Sequence, residues 1–271
     1  MVAFIEPELT SIAFCWRVER RDGVALGCTS HDRDLLIDGL VYRASPGMLP
    51  SAVSLSDGFE ASALDVSGAL TSDAITEADL AAGRWDGAAV FLFMVDWEEP
   101  GAEELPLARG ELGDISLTGQ GFTAELKGMT AALDRPVVEQ TSPECRAELG
   151  DARCRVDMAG RVRIARIAAI VGEETFELSE AGADRAYAYG RLRWITGNNS
   201  GLESPVLTSA GARLTLREPP PQQARIGDLV EMAEGCDRAF ATCTGRFANA
   251  LNFRGEPHLP GIDLLTRYAA G

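Results

Sequence analysis

The 271-residue chain has very few lysines and histidines, and each scarcity restricts its possible functions. Lys127 is the single lysine among 25 basic residues, which are outnumbered by 41 acidic ones, so the net charge is −16. Nonspecific nucleic-acid binding depends on clustered Lys and Arg, and an acidic chain should repel phosphate backbones. Any catalytic site that needs an imidazole must use His31 or His258, the two histidines present.

Long apolar runs are also missing. No run approaches the roughly 18 residues needed to cross a bilayer, so we expect no stable membrane insertion. The N-terminal stretch MVAFIEPELTS carries Glu6 and Glu8 where a signal peptide would carry basic residues and an apolar core. We therefore expect synthesis in a cytoplasm, where structural disulfides are rarely maintained. The six cysteines then remain for metal binding, catalysis or core packing.

The acidity is concentrated in the first half of the chain. Residues 1–135 hold 9 basic and 23 acidic residues, a net charge of −14, while residues 136–271 hold 16 and 18, a net charge of −2. This contrast predicts two regions with different surfaces. No P-loop or Rossmann glycine pattern occurs in either region.

Period-two alternation of apolar residues dominates the chain and predicts a mainly β protein. Asp38-Gly39 lies between two apolar runs, which is a strong hairpin signal. A helix is expected over AITEADLAAGRW, capped by Ser72 or Asp73 and ending near Gly83. Further segments predict strands or hairpins: 11–18, 24–28, 88–97, 113–128 with a turn near 119–121, 161–179 with a turn at 172–174, 186–197 and 211–218. The proline-rich stretch 218–228 cannot be a central strand.

Four cysteines form two spaced pairs, Cys145 with Cys154 and Cys236 with Cys243. Phe240, Phe247 and Leu251 follow Cys236 at helical spacing, which predicts a helix that begins near it. On such a helix Cys236 and Cys243 would stand about 10 Å apart along the axis. A single zinc ion, with Zn–S bonds of about 2.3 Å, would hold that spacing poorly, whereas a polynuclear cluster would bridge it. The spacings match neither zinc ribbons nor common ferredoxin runs, so core packing of the four cysteines stays open.

Two stretches carry a resemblance to a known family. GCDRAFATCTGRFANALNFRGEPHLPG (235–261) resembles the C-terminal signature of the hub protein of gene transfer agents and related tailed phages, and GCTSHDRDLLIDGLVYRA (27–44) is similar to its N-terminal signature. The cysteine spacings also resemble those of lambda-type minor tail protein L, whose C-terminal domain holds an iron–sulfur cluster. The resemblance implies that Cys145, Cys154, Cys236 and Cys243 ligate one [4Fe–4S] cluster. Cys15 and Cys28 match no ligand position.

The resemblance also implies where such a protein works. It would be a multi-domain tail hub with β-barrel-like or sandwich-like parts and a small cluster module, located in the virion or gene transfer agent particle after assembly in the bacterial cytoplasm. A homotrimer would form a ring around the channel, through which DNA passes without specific binding, and would join a sixfold tube to a threefold tip. Its partners would be the distal tail protein ring, a host-contacting fibre or megatron-like tip protein, and a tail-associated peptidase.

These expectations divide the chain into four segments. Residues 1–135 form an acidic β-rich hub domain and 159–228 a second β-rich domain. Residues 136–158 form the first half of the cluster module, and 229–271 form its second half with a C-terminal arm.

We expect the protein not to be an enzyme, and two alternative functions are considered. A cysteine peptidase or peptidoglycan hydrolase could use Cys28 with His31, but HDRD (31–34) is more typical of a charged turn, and Ser200 in GNNSG lacks the G-x-S-x-G elbow. His258, between Pro257 and Pro260, is more consistent with partner contact than with chemistry. A redox iron–sulfur protein would need a partner site, and no flavin or nicotinamide site is evident. We interpret the cluster as structural, with an oxidation-sensitive switch left open.

Overall fold

The computed structural model describes residues 11–44, 49–50, 63–69, 75–118, 121–128 and 138–259. It divides into two compact units, residues 1–136 and 137–271. Regular structure is mainly β in the described residues, as the alternation predicted. None of the described helices has both the length and the apolar character needed to cross a bilayer.

The first unit is built on one large sheet. In the described residues its nine strands lie in the order β3-β4-β2-β1-β7-β8-β9-β6-β5. Strands β2 and β4 run parallel and the other neighbouring pairs run antiparallel. The elements are β1 (Ile12–Glu19), β2 (Ala25–Thr29), β3 (Leu35–Ile37), β4 (Leu40–Ala44), β5 (Leu49–Pro50), β6 (Ala63–Ala69), α1 (Glu77–Ala81), β7 (Ala89–Asp96), β8 (Glu104–Thr118) and β9 (Gly121–Gly128).

Local sequence signals account for several of these elements. Asp38 and Gly39 have φ of 49° and 80°, the left-handed pair that a tight hairpin turn between β3 and β4 requires. The hairpin predicted there is confirmed. Helix α1 begins later than predicted: Thr76, rather than Ser72 or Asp73, caps it by accepting the N–H of Asp79 at 3.1 Å.

Apolar side chains cover both faces of the central strands in this unit. Trp16 belongs to a cluster with Trp85 and Leu92. Its neighbour Cys15 belongs to a second cluster with Phe93 and other buried residues. Adjacent strand residues point to opposite faces, so β1 is packed on both sides at this point.

The second unit contains a closed six-stranded barrel with strand order β10-β11-β14-β13-β12-β15. Its strands are β10 (Val162–Ile170), β11 (Thr175–Leu178), β12 (Arg191–Trp194), β13 (Glu203–Ala210), β14 (Arg213–Leu216) and β15 (Leu229–Ala233). The predicted hairpin of β10 and β11 is confirmed, and 218–228 contains no strand. Trp194 is fully buried in the barrel core, where its Nε1 donates to Ser204 Oγ at 3.0 Å.

Closure of the barrel depends on β15, which pairs with β10 from Val162↔Ala233 to Arg166↔Leu229. The barrel therefore extends five residues beyond the boundary expected at 228. Residues 138–161 and 234–259 flank it in sequence and contain little regular structure, namely α2 (Phe240–Gly245) and a 3₁₀ turn at Ala250–Asn252. These two flanking segments, called here the cysteine module, carry the paired cysteines.

The predicted helix beginning near Cys236 is wrong, because α2 begins only at Phe240. Arg238 adopts a left-handed φ of 63°, which an α-helix does not tolerate. Asp237 instead accepts the N–H of Ala239 at 3.0 Å and the hydroxyl of Thr242 at 2.9 Å. Side-chain hydrogen bonds of this kind compete with helix formation. The two cysteines therefore do not stand on one helix, and the zinc argument that rested on their axial separation no longer applies.

Candidate metal centre

The four paired cysteines come together in the cysteine module. The pKa of the Cys243 thiol is raised first by burial and then by the charges of Cys145, Cys236 and Cys154. Burial is also the main cause that raises the pKa of Cys236, with Asp237, Cys145 and Cys154 adding to it and the N–H of Arg238 opposing it. Thiols from both halves of the module are therefore close enough to affect one another's charge.

The thiols are not arranged as a site for a metal ion in the described structure. In the described part of the chain, no group of three or more His, Cys, Asp or Glu is arranged to hold a metal ion. A zinc ion would need its sulfurs about 2.3 Å from one centre.

Three of the four sulfurs accept an N–H hydrogen bond. The backbone N–H of Arg254 donates to Cys145 Sγ at 3.4 Å, and that of Arg238 donates to Cys236 Sγ at 3.4 Å. The side-chain amide of Asn249 lies 3.7 Å from Cys154 Sγ. Such donors stabilise negative charge on sulfur, as at the thiolates of iron–sulfur centres. Cys243 Sγ differs, because it donates to the carbonyl of Asn249 at 3.4 Å.

The Cys145 loop is held by Arg238 and by the last described segment of the chain. Cys145 N–H donates to Arg238 O at 2.9 Å and Arg146 N–H to Arg254 O at 3.0 Å. The Arg146 guanidinium binds both carboxylate oxygens of Glu256, at 2.8 and 2.9 Å. Hydrogen bonding from Arg146 is the main cause that lowers the pKa of Glu256 to about 2, and the N–H of Ser142 adds to it.

At Gly255 the last described segment lies too close to the Cys145 loop to leave room for a side chain. A Cβ on Gly255 would lie 2.4 Å from Glu144 O, a backbone atom, so glycine is required there.

The Cys154 loop is shaped by one carboxylate. Asp151 accepts the backbone N–H groups of Cys154 at 2.6 Å, Arg153 at 2.8 Å and Glu148 at 2.9 Å. The hydrogen bond from the Cys154 N–H contributes most to lowering the pKa of Asp151, and the other two bonds add to it. Asp151 therefore fixes the turn that presents Cys154.

The Cys236 segment leaves the barrel through a close backbone contact. A Cβ on Gly235 would lie 2.0 Å from Gly190 N, and one on Gly190 would lie 2.2 Å from Ala233 O. Both positions therefore require glycine. The end of β15, and with it the entry to Cys236, is fixed against residues 188–190.

A charged cluster continues this attachment. Glu234 Oε2 accepts from Arg161 at 2.8 Å and from Arg246 at 2.7 Å. Arg246 also donates to the carbonyls of Ala186 and Gly235. The ring of Phe247 lies 5.1 Å from the Arg161 guanidinium and 4.8 Å from that of Arg246. Arg161, which precedes the barrel in the sequence, and Arg246, which follows it, therefore both bind Glu234.

The other sequence candidates do not assemble into a catalytic site. Cys28 is buried, and desolvation raises the pKa of its thiol to about 11, which opposes the thiolate that a peptidase needs. His31 stacks on Trp97 at 5.0 Å, and its Nδ1 accepts the N–H of Arg33 at 3.1 Å. The hydroxyl of Ser200 donates to Ile195 O at 2.8 Å.

Cys15 lies in the first unit with Cys28, and burial raises the pKa of its thiol to about 11 as well. His258 is exposed.

Sequence reasoning overlooked the residues that support the cysteines, above all Asn249, Arg254 and Glu256. Two asparagines among Phe247, Leu251 and Phe253 were a signal that this stretch is not the apolar face of a helix. The pairing of Glu256 with Arg146 spans 110 residues, and no local pattern identifies it.

Comparisons with known proteins cover both parts of the chain. Residues 1–157 match the family described as baseplate hub protein, N-terminal attachment domain. Residues 185–263 match the family described as phage conserved hypothetical protein BR0599. The first match contains Cys145 and Cys154, and the second contains Cys236 and Cys243.

One solved structure is similar over almost the whole chain. A chain of the structure described as the virion of a native gene transfer agent (GTA) particle is 38% identical, with a TM-score of 0.85. The similarity covers 98% of this chain and 94% of that one. None of the curated proteins matches.

Proposed function

The chain belongs to the family of phage baseplate hub proteins, and from this premise we propose that it is the hub at the distal end of a gene-transfer-agent-like tail. The observation that carries the proposal is the similarity to a gene transfer agent virion chain, which is close in sequence and fold and extends over both units. The protein is a structural component of the virion tail and not an enzyme.

In this role the chain forms a ring around the DNA channel. One side of the ring binds the distal tail protein, and the other binds a host-contacting fibre or megatron-like tip protein and a tail-associated peptidase. The net charge of −14 in residues 1–135 supports this arrangement, because an acidic wall does not retain DNA that passes through it.

The cysteine module holds a [4Fe–4S] cluster through Cys145, Cys154, Cys236 and Cys243. The chemistry of the residues fits this group: the four thiols are neighbours, and three of their sulfurs accept N–H donors. The buried Nε of Arg254 has no hydrogen-bond partner among the described residues, and a negatively charged cluster would offer it an acceptor. When bound, the cluster supplies iron–thiolate bonds that cross-link the segments on either side of the barrel.

Removing the chain from tail assembly tests the proposed function. Particles assembled without it should lack a finished tip and should fail in DNA delivery, and supplying the chain in trans should restore both. Imaging of labelled particles should place it at the distal end of the tube. Full delivery without the chain, or a position on the outside of the tube, would contradict the proposal.

A further inference from the structure

Asn249 contacts one cysteine from each pair. Its Nδ2 donates to Cys154 O at 2.6 Å, 95 residues earlier in the chain, and lies 3.7 Å from Cys154 Sγ. Its backbone N–H donates to Cys243 O at 3.0 Å, and its carbonyl accepts from Cys243 Sγ at 3.4 Å. A single residue therefore bridges the two halves of the module beside the thiols.

The orientation of the Asn249 amide is determined by its neighbours. Asn252 Nδ2 donates to Asn249 Oδ1 at 2.7 Å, so the oxygen is engaged as an acceptor. The amide nitrogen must then face Cys154, where a carbonyl accepts it. Ala248, just before, has a left-handed φ of 49°. Such a conformation is uncommon for alanine and persists where surrounding contacts impose it.

The donor at Cys154 also differs in kind from the other two. Cys145 and Cys236 receive backbone N–H groups from Arg254 and Arg238, which substitution does not remove. In the described residues, Asn249 is the side chain that donates toward one of the four sulfurs. It is thus the point at which hydrogen bonding to the thiolates can be changed by one substitution.

We infer that Asn249 is a positioning residue for the cluster: its Nδ2 holds the Cys154 loop and donates a hydrogen bond to the Cys154 thiolate, and its backbone N–H holds Cys243, whose thiol gives up its bond to the Asn249 carbonyl on ligation. The inference rests on the proposed [4Fe–4S] cluster. A donor to a ligating sulfur favours the more negative, reduced state, so Asn249 raises the reduction potential. Because it also joins two ligand loops, it slows the loss of iron.

The test compares anaerobically purified full-length variants. Asn249→Leu removes the donor at similar volume, Asn249→Asp replaces it with an acceptor of the same shape, and Asn249→Gln retains an amide. The midpoint potential and the rate of iron loss to a chelator are measured. The Leu and Asp variants should have more negative potentials, Asp the lowest, and should lose iron about 10-fold faster. The midpoint potential and the rate of iron loss of Asn249→Gln should lie between those of the parent and those of the Leu variant.

Asn198 provides a matched control, because its amide lies in a barrel loop, 3.5 Å from Gln223 O. Asn198→Leu and Asn198→Asp should behave like the parent protein. If Asn249→Leu does not retain iron at all, the Gln and Asp variants decide: a higher potential for Gln supports the inference, and equal potentials overturn it.

Iron and sulfide in the parent protein separate the two claims. If the parent protein contains no cluster, both the proposed cofactor and the proposed role of Asn249 are refuted. A parent with a cluster, whose potential and iron loss are unchanged in all Asn249 variants, overturns the role of Asn249 alone.

Discussion

Arg146 and Glu256, 110 residues apart, form a two-bond ion pair in which Nη1 and Nη2 of the arginine lie 2.8 and 2.9 Å from the carboxylate oxygens. The backbone N–H of Glu256 also donates to Ser142 O, and the N–H of Ser142 donates to the Glu256 carboxylate, so the last described segment lies along the loop that presents Cys145. The pair therefore closes the cysteine module from its C-terminal side.

Glu256→Gln should loosen this closure, because it keeps the shape and removes the charge. Hydrogen exchange at residues 142–146 should become several-fold faster at neutral pH. The parent should show the same loosening in acid: the pKa of Glu256 is lowered from about 4.5 to about 2, so its contribution is present above pH 4.5 and is lost as pH falls toward 2. The variant should lack this acid dependence.

Glu177→Gln is the control for this experiment. Glu177 pairs with Arg213 at 2.9 Å on the exposed surface of the barrel, where an ion pair contributes little. Unchanged exchange at 142–146 in Glu256→Gln would show that the ion pair does not close the module.

The cysteines give a second prediction. Anaerobically purified protein should be brown and contain about four irons and four sulfides per chain. Serine at Cys145, Cys154, Cys236 or Cys243 should lower the iron content and unfold the cysteine module, as should oxidative removal of the cluster, because binding free energy of a structural metal group is folding free energy.

Serine at Cys15 or Cys28 should leave the iron in place, since both thiols are buried in the first unit. Stoichiometric zinc without sulfide, or an equal loss of iron in all six variants, would refute the ligand assignment.

A third prediction concerns the backbone contact that leads to Cys236. Gly235→Ala places a Cβ 2.0 Å from Gly190 N and 2.2 Å from Ala188 O, and backbone atoms cannot yield as a flexible side chain would. We expect a loss of about 1–3 kcal/mol of unfolding free energy together with a lower iron content. Gly245→Ala, where a Cβ meets no atom within 4 Å, should change stability by less than about 0.5 kcal/mol. Equal stability of the two variants in denaturant titrations would contradict this expectation.

Strands and turns were predictable where the signal is local. The alternation of β1, the Asp38-Gly39 turn and the β10–β11 hairpin each depend on residues within one short stretch. The pairing of β1 with β7, at Ile12↔Asp96, and the closure of the barrel at Val162↔Ala233 join distant segments. Alternation indicates which face of a strand is buried but not which strand lies beside it.

The helical spacing after Cys236 was misleading for a similar reason. Phe240 packs edge-on against Phe253 at 5.0 Å, the ring of Phe247 contacts two guanidinium groups, and Leu251 is 97% exposed. Three residues at the spacing of one helix face thus have three different surroundings. The two cysteine spacings were identified in the sequence, but Asn249 and Arg254 were not, because their role depends on contacts with a segment that precedes the barrel.

The last prediction concerns assembly. A hub between a sixfold tube and a threefold tip satisfies both symmetries as a trimer, and a ring around a channel requires closed rotational symmetry, because head-to-tail contacts that do not close give filaments. We expect three copies per particle.

The net charge of −14 in residues 1–135 should keep the isolated chain partly monomeric through self-repulsion, so the ring should form on the tail tube or at raised salt. Mass measurement of the isolated chain across a salt series, with a symmetry-resolved image of purified tails, tests both parts. Six copies per tail, or a trimer whose population does not rise with salt, would require another explanation for the acidity.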